Sequence, residues 1–244
     1  MKKGKPTLAK KLALSASNKW RGNLLSSNLI CPSMMCSDFS SLEAEVEGLD
    51  RAGIDIFHLD IMDGHFVPNF GMGLQDVETI RKLTNKLVDV HLMIDNPGEY
   101  VEKFADLGID IIYFHPEADT HPARTIDKIK KKQKKVGIAI NPGTSVALIE
   151  ELLPMIDYVM VMTVNPGFAG QVYLNYVDRK IKRLACLKHN YDYQLMVDGA
   201  ISEEKILTLG QLGVDGFVLG TSALFRKEES YEELVSKYKS GDEV

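Results

Sequence analysis

Eight short runs of apolar and β-branched residues recur along the chain, at 29–31, 54–61, 88–94, 109–114, 136–140, 158–164, 194–197 and 216–219. They are nearly continuous instead of alternating with polar residues. Parallel strands buried on both faces have this pattern, because neither side of such a sheet meets water. Between the runs lie segments of helical period, at 41–52, 76–83, 98–107, 123–134, 146–153, 175–187, 203–212 and 231–238. In the first of these Leu42, Val46 and Leu49 share one face, and Asp38 or Ser40 stands where a helix cap is wanted. Three joints also repeat. Ala52-Gly53-Ile54-Asp55, Leu107-Gly108-Ile109-Asp110 and Leu212-Gly213-Val214-Asp215 each end a helix and open a strand. Their glycines suit the left-handed position that closes a helix. Such joints mean stacked βα units.

Eight βα units in about 215 residues predict a single closed (β/α)8 barrel, the TIM-barrel architecture. An open doubly wound sheet is the alternative, but no Gly-x-Gly-x-x-Gly follows the first strand. The barrel is expected to occupy 29–244 as the catalytic domain, behind a basic N-terminal extension at 1–28. Lys2, Lys3, Lys5, Lys10, Lys11, Lys19 and Arg21 all precede the first acid, Asp38, so this segment carries +7. The remaining 22 basic and 34 acidic residues leave the body at −12. An acidic body argues against nucleic acid as a partner. No apolar run approaches the ~18 to 20 residues of a membrane span. The extension's longest apolar stretch, Leu12-Ala13-Leu14, is too short for a secretory signal. It reads as a poorly ordered tail or an added helix, with a transit peptide or a misplaced start as alternatives. Cys31, Cys36 and Cys186 are an odd number with no Cys-x-x-Cys pair, which suits a reducing cytoplasm and gives no disulfide framework.

A barrel concentrates function where its strands end. His58, Asp60 and Met62 alternate along the second strand and so point to one side of it. His91 lies on the third strand and Asp198 ends the seventh. Taken singly, each is expected to be a satisfied core polar group. Together, two imidazoles and two carboxylates make a ligand set for one divalent cation, Zn²⁺, Fe²⁺, Mn²⁺ or Co²⁺, and spacing does not choose among these. Buried charges at strand ends are costly unless paired or metal-bound. Two carboxylates facing each other across a substrate also permit two-base chemistry, one removing a proton from a carbon and the other returning one to the opposite face. A metal beside them would stabilise the enediolate oxygen.

The last three strands run into small-residue turns: Asn165-Pro166-Gly167-Phe168-Ala169-Gly170-Gln171, then Asp198-Gly199-Ala200-Ile201, then Gly220-Thr221-Ser222. Small residues let backbone N–H groups approach an anion, and a following helix N-terminus favours negative charge. A single turn of this kind is usually only a turn. Three on neighbouring strands predict a phosphate site.

These segments, with Cys31-Pro32-Ser33, His58-Leu59-Asp60-Ile61-Met62-Asp63-Gly64-His65-Phe66-Val67-Pro68-Asn69 and Asp89-Val90-His91-Leu92-Met93, resemble the ribulose-phosphate 3-epimerase family, including its allulose 6-phosphate branch. The resemblance runs from about Ile30 to Phe225. It implies a phosphorylated ketose substrate, D-ribulose 5-phosphate or D-allulose 6-phosphate, inverted at C3, and self-association of the chain. It implies His58, Asp60, His91 and Asp198 as metal ligands. Asp60 matches the carboxylate that takes the C3 proton and Asp198 the acid opposite. Ser33 and His91 match substrate contacts. Met62, Met93 and Met162 match methionines near the reacting carbons, for which core filling is the alternative. Gly167, Phe168, Ala169, Gly170, Gly199, Ala200, Gly220 and Thr221 match the phosphate turns, with Ser222 a weaker candidate.

There are departures. The typical pentose enzyme has glycine pairs where this chain has Phe168-Ala169-Gly170 and Gly199-Ala200, and alanine is tolerable there only at negative φ. Phe114-His115-Pro116-Glu117, Ala169 and the segment 220–225 look more like the hexose branch. His115 and Glu117 either line the sugar pocket or satisfy each other. Asp63 and His65 are expected to order the loop after the second strand. Lys128, Lys130, Lys131, Lys132, Lys134 and Lys135 read as a solvated helix end. A related decarboxylase would place lysine in an Asp-x-Lys motif where this chain has Asp89-Val90-His91. A noncatalytic sugar-phosphate sensor is the remaining alternative, and the intact Asp60 and Asp198 argue against it.

Overall fold

The computed structural model describes residues 28–240. The expectations for the basic extension, Asn28 apart, lie outside the described residues. Eight strands follow in order: β1 (Leu29–Pro32), β2 (Ile56–Met62), β3 (Leu87–Met93), β4 (Ile111–Phe114), β5 (Lys135–Ile140), β6 (Tyr158–Met162), β7 (Gln194–Asp198) and β8 (Gly216–Leu219). Every ladder is parallel, and the sheet order is β1-β8-β7-β6-β5-β4-β3-β2. A parallel bridge between Ser33 and His58 brings the two end strands together, so the sheet is a nearly closed barrel. The helices are α1 (Leu42–Ala52), α2 (Leu74–Leu83), α3 (Val101–Asp106), α4 (Pro122–Lys131), α5 (Asp178–Leu187), α6 (Glu203–Gln211) and α7 (Tyr231–Ser240). None is long and apolar enough to cross a membrane.

One expected helix does not form. Segment 146–153 becomes two 3₁₀ pieces, Val146–Leu148 and Glu150–Met155, with Pro154 inside the second. Proline lacks an N–H and its ring clashes with the carbonyl four residues back, so the chain cannot settle into α-helical bonding there. Another expected helix, 98–107, splits into a 3₁₀ turn at Pro97–Glu99 and the short α3. Asp38 caps the 3₁₀ turn Phe39–Ser41 that leads into α1, accepting from Ser40 N–H at 2.9 Å.

β2 and β4 begin two residues later than periodicity predicts, because the aspartates ahead of them have another task. Asp55, Asp110, Asp157 and Asp215 each precede an even-numbered strand. Their carboxylates accept the backbone N–H of Ile30, Val88, Val136 and Leu195 on the preceding odd-numbered strand, at 2.9, 3.0, 2.9 and 2.7 Å. Their own N–H groups donate to carbonyls of those same strands. Lys239, Arg81, Lys135 and Lys188 pair with the four carboxylates. The N-terminal rim is thus stapled four times in the same way.

The larger apolar cluster lies between strands and helices, and a smaller one fills the lumen with Cys31, Tyr113, Tyr158, Met160 and Met196. Large lumen side chains lie over glycines: a Cβ at Gly137 would stand 2.1 Å from the Tyr113 ring. The lumen is packed at its lower end, and polar side chains occupy the end where the strands finish.

Candidate metal centre and substrate cleft

β2 and β3 are paired so that Asp60 lies beside His91, and on the far side Asp198 ends β7 beside Met162. Strand alternation turns His58, Asp60 and His91 into the lumen, where all three are buried. Asp198 is half-buried at the mouth. His58 Nε2 lies 3.4 Å from Asp60 Oδ1, and His91 Nδ1 lies 3.4 Å from the same oxygen and 3.6 Å from Asp198 Oδ2. One ligand atom from each of the four residues falls within 4.8 Å of every other.

The other ring nitrogens are engaged elsewhere. His58 Nδ1 is 2.6 Å from Asp89 Oδ1, and His91 Nε2 is 2.8 Å from His115 Nε2. His58 Nε2 and His91 Nδ1 have no hydrogen-bond partner although both are buried. Two orphaned imidazole nitrogens converging with two carboxylate oxygens fit a divalent cation, since neutral imidazole and carboxylate are its ordinary donors. Burial alone would raise the Asp60 carboxyl, but His58 and His91 outweigh it and hold it well below the usual range. Burial alone would lower His58, but Asp89 and Asp60 outweigh it and raise it. Either way Asp60 is a carboxylate and a competent ligand or base.

Above these residues opens a cleft. Ser33, Asp60, Met62, Met93, Met162 and Asp198 form its floor, and Gly167–Gly170, Gly199, Ala200 and Gly220–Ser222 form its far wall. Ser33 Oγ donates to Asp60 Oδ2 at 2.7 Å, which orients the carboxylate. Gly167, Gly170 and Gly199 have φ of 119°, 78° and 113°. Ala169 keeps a negative φ, as an alanine requires, but Ala200 does not: its φ is 52°. That condition on Gly199-Ala200 is therefore not met, and Ala200 sits in the left-handed region at a cost of about 1 to 2 kcal/mol. Thr163 tethers the turn, donating its hydroxyl to Asp198 C=O at 2.9 Å and also contacting Gly199 C=O.

His115 and Glu117 are not part of the cleft lining. His115 is wholly buried, stacked on His91 with ring centroids 5.0 Å apart, and its Nδ1 lies 3.6 Å from Glu117 Oε2. Glu117 accepts from Asn141 N–H at 2.9 Å and from the Thr144 hydroxyl at 2.5 Å. Burial drives His115 down to about 4, while the neighbouring His115 ring and the bonds from Thr144 and Asn141 overcome burial and bring Glu117 down to about 2. Asp63 orders its loop by accepting from the N–H groups of His65, Phe66 and Asp95. Asn69 in that loop donates to Gly167 C=O at 2.6 Å, joining the β2 and β6 loops over the cleft.

Several contributors carry no sequence signal of their own. Met35, Cys36 and Val164 line the cleft yet read as ordinary core or loop in the chain, whereas Asp89, which backs His58, is different. For Asp89 a signal exists: it stands two residues before His91, an acid inside an otherwise apolar strand.

Residues 29–225 match the ribulose-phosphate 3 epimerase family as a family model. The chain is 39% identical over 205 residues to a ribulose-phosphate 3-epimerase of Aquifex aeolicus, covering 82% of this chain and 91% of the relative. It is 40% identical over 196 residues to that of Bacillus subtilis, covering 79% and 90%. A chloroplastic ribulose-5-phosphate-3-epimerase of Arabidopsis thaliana is 34% identical, covering 87% and 76%. Among solved structures, the 3-hexulose-6-phosphate synthase of Salmonella typhimurium superposes with a TM-score of 0.65 at 17% identity, covering 86% of this chain and 95% of that one, a likeness of fold alone.

Proposed function

The chain belongs to the ribulose-phosphate 3-epimerase family, and from that premise we propose that it interconverts D-ribulose 5-phosphate and D-xylulose 5-phosphate through two-base proton transfer at C3. The coarser statement, a ketose-phosphate 3-epimerase and hence an isomerase, follows from the family. The relatives' names favour the pentose, and one observation carries the two-base part of the reading: Asp60 and Asp198 approach the same point from strands separated by β1 and β8, beside two imidazole nitrogens that no protein group satisfies.

A substrate whose phosphate lies against the turns at Gly167–Gly170, Gly199–Ala200 and Gly220–Ser222 would extend its C2–C3 region toward the floor. Asp60, oriented by Ser33, takes the C3 proton on one face, and Asp198 returns one on the other. In the reverse direction they exchange roles. His58, Asp60, His91 and Asp198 would hold the divalent cation, which supplies positive charge as the substrate becomes an enediolate. Met62, Met93 and Met162 keep the reacting carbons away from water. The loop contact from Asn69 to Gly167 closes the rim.

NMR in D₂O with metal-loaded protein tests this, with D-ribulose 5-phosphate and D-allulose 6-phosphate offered separately. Deuterium entering C3 and the C3 epimer appearing from the pentose alone is the expected result. Reaction with the hexose alone would move the substrate to the other branch. Tight binding of either without exchange would favour a sensor. We further expect Asp60→Asn and Asp198→Asn to fold normally and to lose about 10² to 10⁴ of turnover, the usual worth of a positioned base. Near-wild-type rates in either variant would remove that residue from the two-base scheme.

A further inference from the structure

We propose that His115 and Glu117 are positioning residues that set the tautomer of His91, so that His91 presents the Nδ1 lone pair to the metal centre. This rests on the metal reading above and extends it to groups that touch neither substrate nor metal. His91 Nε2 and His115 Nε2 are 2.8 Å apart. When two imidazole nitrogens meet at that distance, one carries a proton and the other does not. The direction is decided one residue further out.

If His115 donated, its Nδ1 would be a bare lone pair facing the Glu117 carboxylate 3.6 Å away, and His91 would carry its proton on Nδ1, between Asp60 and Asp198. The first sets a lone pair against a negative charge, and the second leaves no lone pair for a cation beside Asp60 and Asp198. If His91 donates, His115 carries its proton on Nδ1, toward the carboxylate, and the His91 lone pair faces the ligand cluster. Glu117 is kept charged and immobile by Asn141 N–H and the Thr144 hydroxyl, so the sign at the end of the chain is fixed. His115 itself cannot turn away. It is fully buried, stacked on His91 at 27° and packed under the Phe66 ring at 4.9 Å.

The two ligand histidines are thus oriented differently. His58 turns Nε2 inward with Asp89 directly on Nδ1, whereas His91 turns Nδ1 inward with the His115–Glu117 pair behind Nε2. Groups behind a ligand histidine typically matter about 10- to 100-fold in metal affinity.

The test uses the full chain with Zn²⁺ as probe. Zinc affinity is measured by competition with a chromophoric chelator for wild type, His115→Leu, His115→Gln and Glu117→Gln. The ¹⁵N-histidine NMR spectrum of metal-free and zinc-loaded protein reports the tautomers. Expected are a His91 Nε2–H tautomer in the zinc-loaded protein and an affinity loss of about 10- to 100-fold in His115→Leu. His115→Gln, whose amide oxygen can accept near the position of Nε2, recovers most of that loss. Zinc bound through His91 Nε2, or a folded His115→Leu binding zinc within twofold of wild type, overturns the proposal. Failure of the wild type to bind zinc would overturn the metal reading, and this proposal with it.

Discussion

At Gly199 the backbone has φ of 113°, and a Cβ placed there would lie 2.4 Å from Val164 Cγ2 and 3.0 Å from Val164 N. Both the conformation and the space exclude a side chain. Gly199→Ala should therefore cost about 2 to 4 kcal/mol in denaturant unfolding, whereas Ala200→Gly, next along the turn, should be neutral or slightly stabilising. Equal effects at the two positions would refute this reading of the turn. Glu117 carries a pH signature. Its folded pKa near 2 lies below the ordinary 4.5, so its contribution is fully present above pH 4.5 and fades as pH falls toward 2. Because this partly exposed carboxylate is screened by solvent, the stability difference between wild type and Glu117→Gln should be only of order 1 kcal/mol at pH 7, and it should shrink below pH 4.5. A difference unchanged at pH 3 would show that the carboxyl is not depressed. That His58, Asp60, His91 and Asp198 converge was legible in the sequence, since alternation along a strand decides which side chains share a face. The tasks of His115 and Glu117 were not, because a histidine's partner depends on which strand comes to lie beside it.

The βα joint is where element and function separate. Gly53, Gly108 and Gly213, with φ of 82°, 88° and 96°, end α1, α3 and α6, and the aspartate two residues on staples the next strand to the one before it. The repeated Gly-Ile/Val-Asp joint locates three of these four aspartates as the starts of strands, but nothing in it assigns their bonds. The fourth, Asp157, follows Met155-Ile156 with no glycine, and only its bond to Val136 N–H reveals it. Removing one carboxylate strands a backbone donor and a cation together. Asp110→Ala, which frees Val88 N–H and Arg81, should lower stability by about 1 to 3 kcal/mol in chemical denaturation without changing the metal affinity. Loss of metal binding in that variant would mean the rim and the centre are mechanically linked. The failed helix at 146–153 has the opposite lesson: its apolar spacing is helical, and Pro154 immediately beyond it was the stronger signal.

For the whole molecule, the barrel collects onto one end side chains that the chain scatters from Ser33 to Ser222. A cation held by groups on β2, β3 and β7 would couple three strands that the sheet otherwise joins only through their neighbours. Binding to the folded state alone stabilises by about 2.7 kcal/mol at a hundred times Kd. The melting temperature should then rise by about 5 to 10 °C on adding Zn²⁺ or Mn²⁺ to chelator-treated protein, a change differential scanning calorimetry would resolve. A shift below 1 °C at saturating metal would count against a cation at the strand ends. The sequence alone determined the class of fold, the faces of the strands and the four polar side chains that meet at the strand ends, because these follow from local periodicity and from the cost of burying charge. Only the tertiary structure decided which nitrogen of each histidine faces the centre, that Ala200 must accept a positive φ, and that His115 lies behind His91. Those depend on the register between β3 and β4 and on the way loops meet across the barrel, distances that no local pattern encodes.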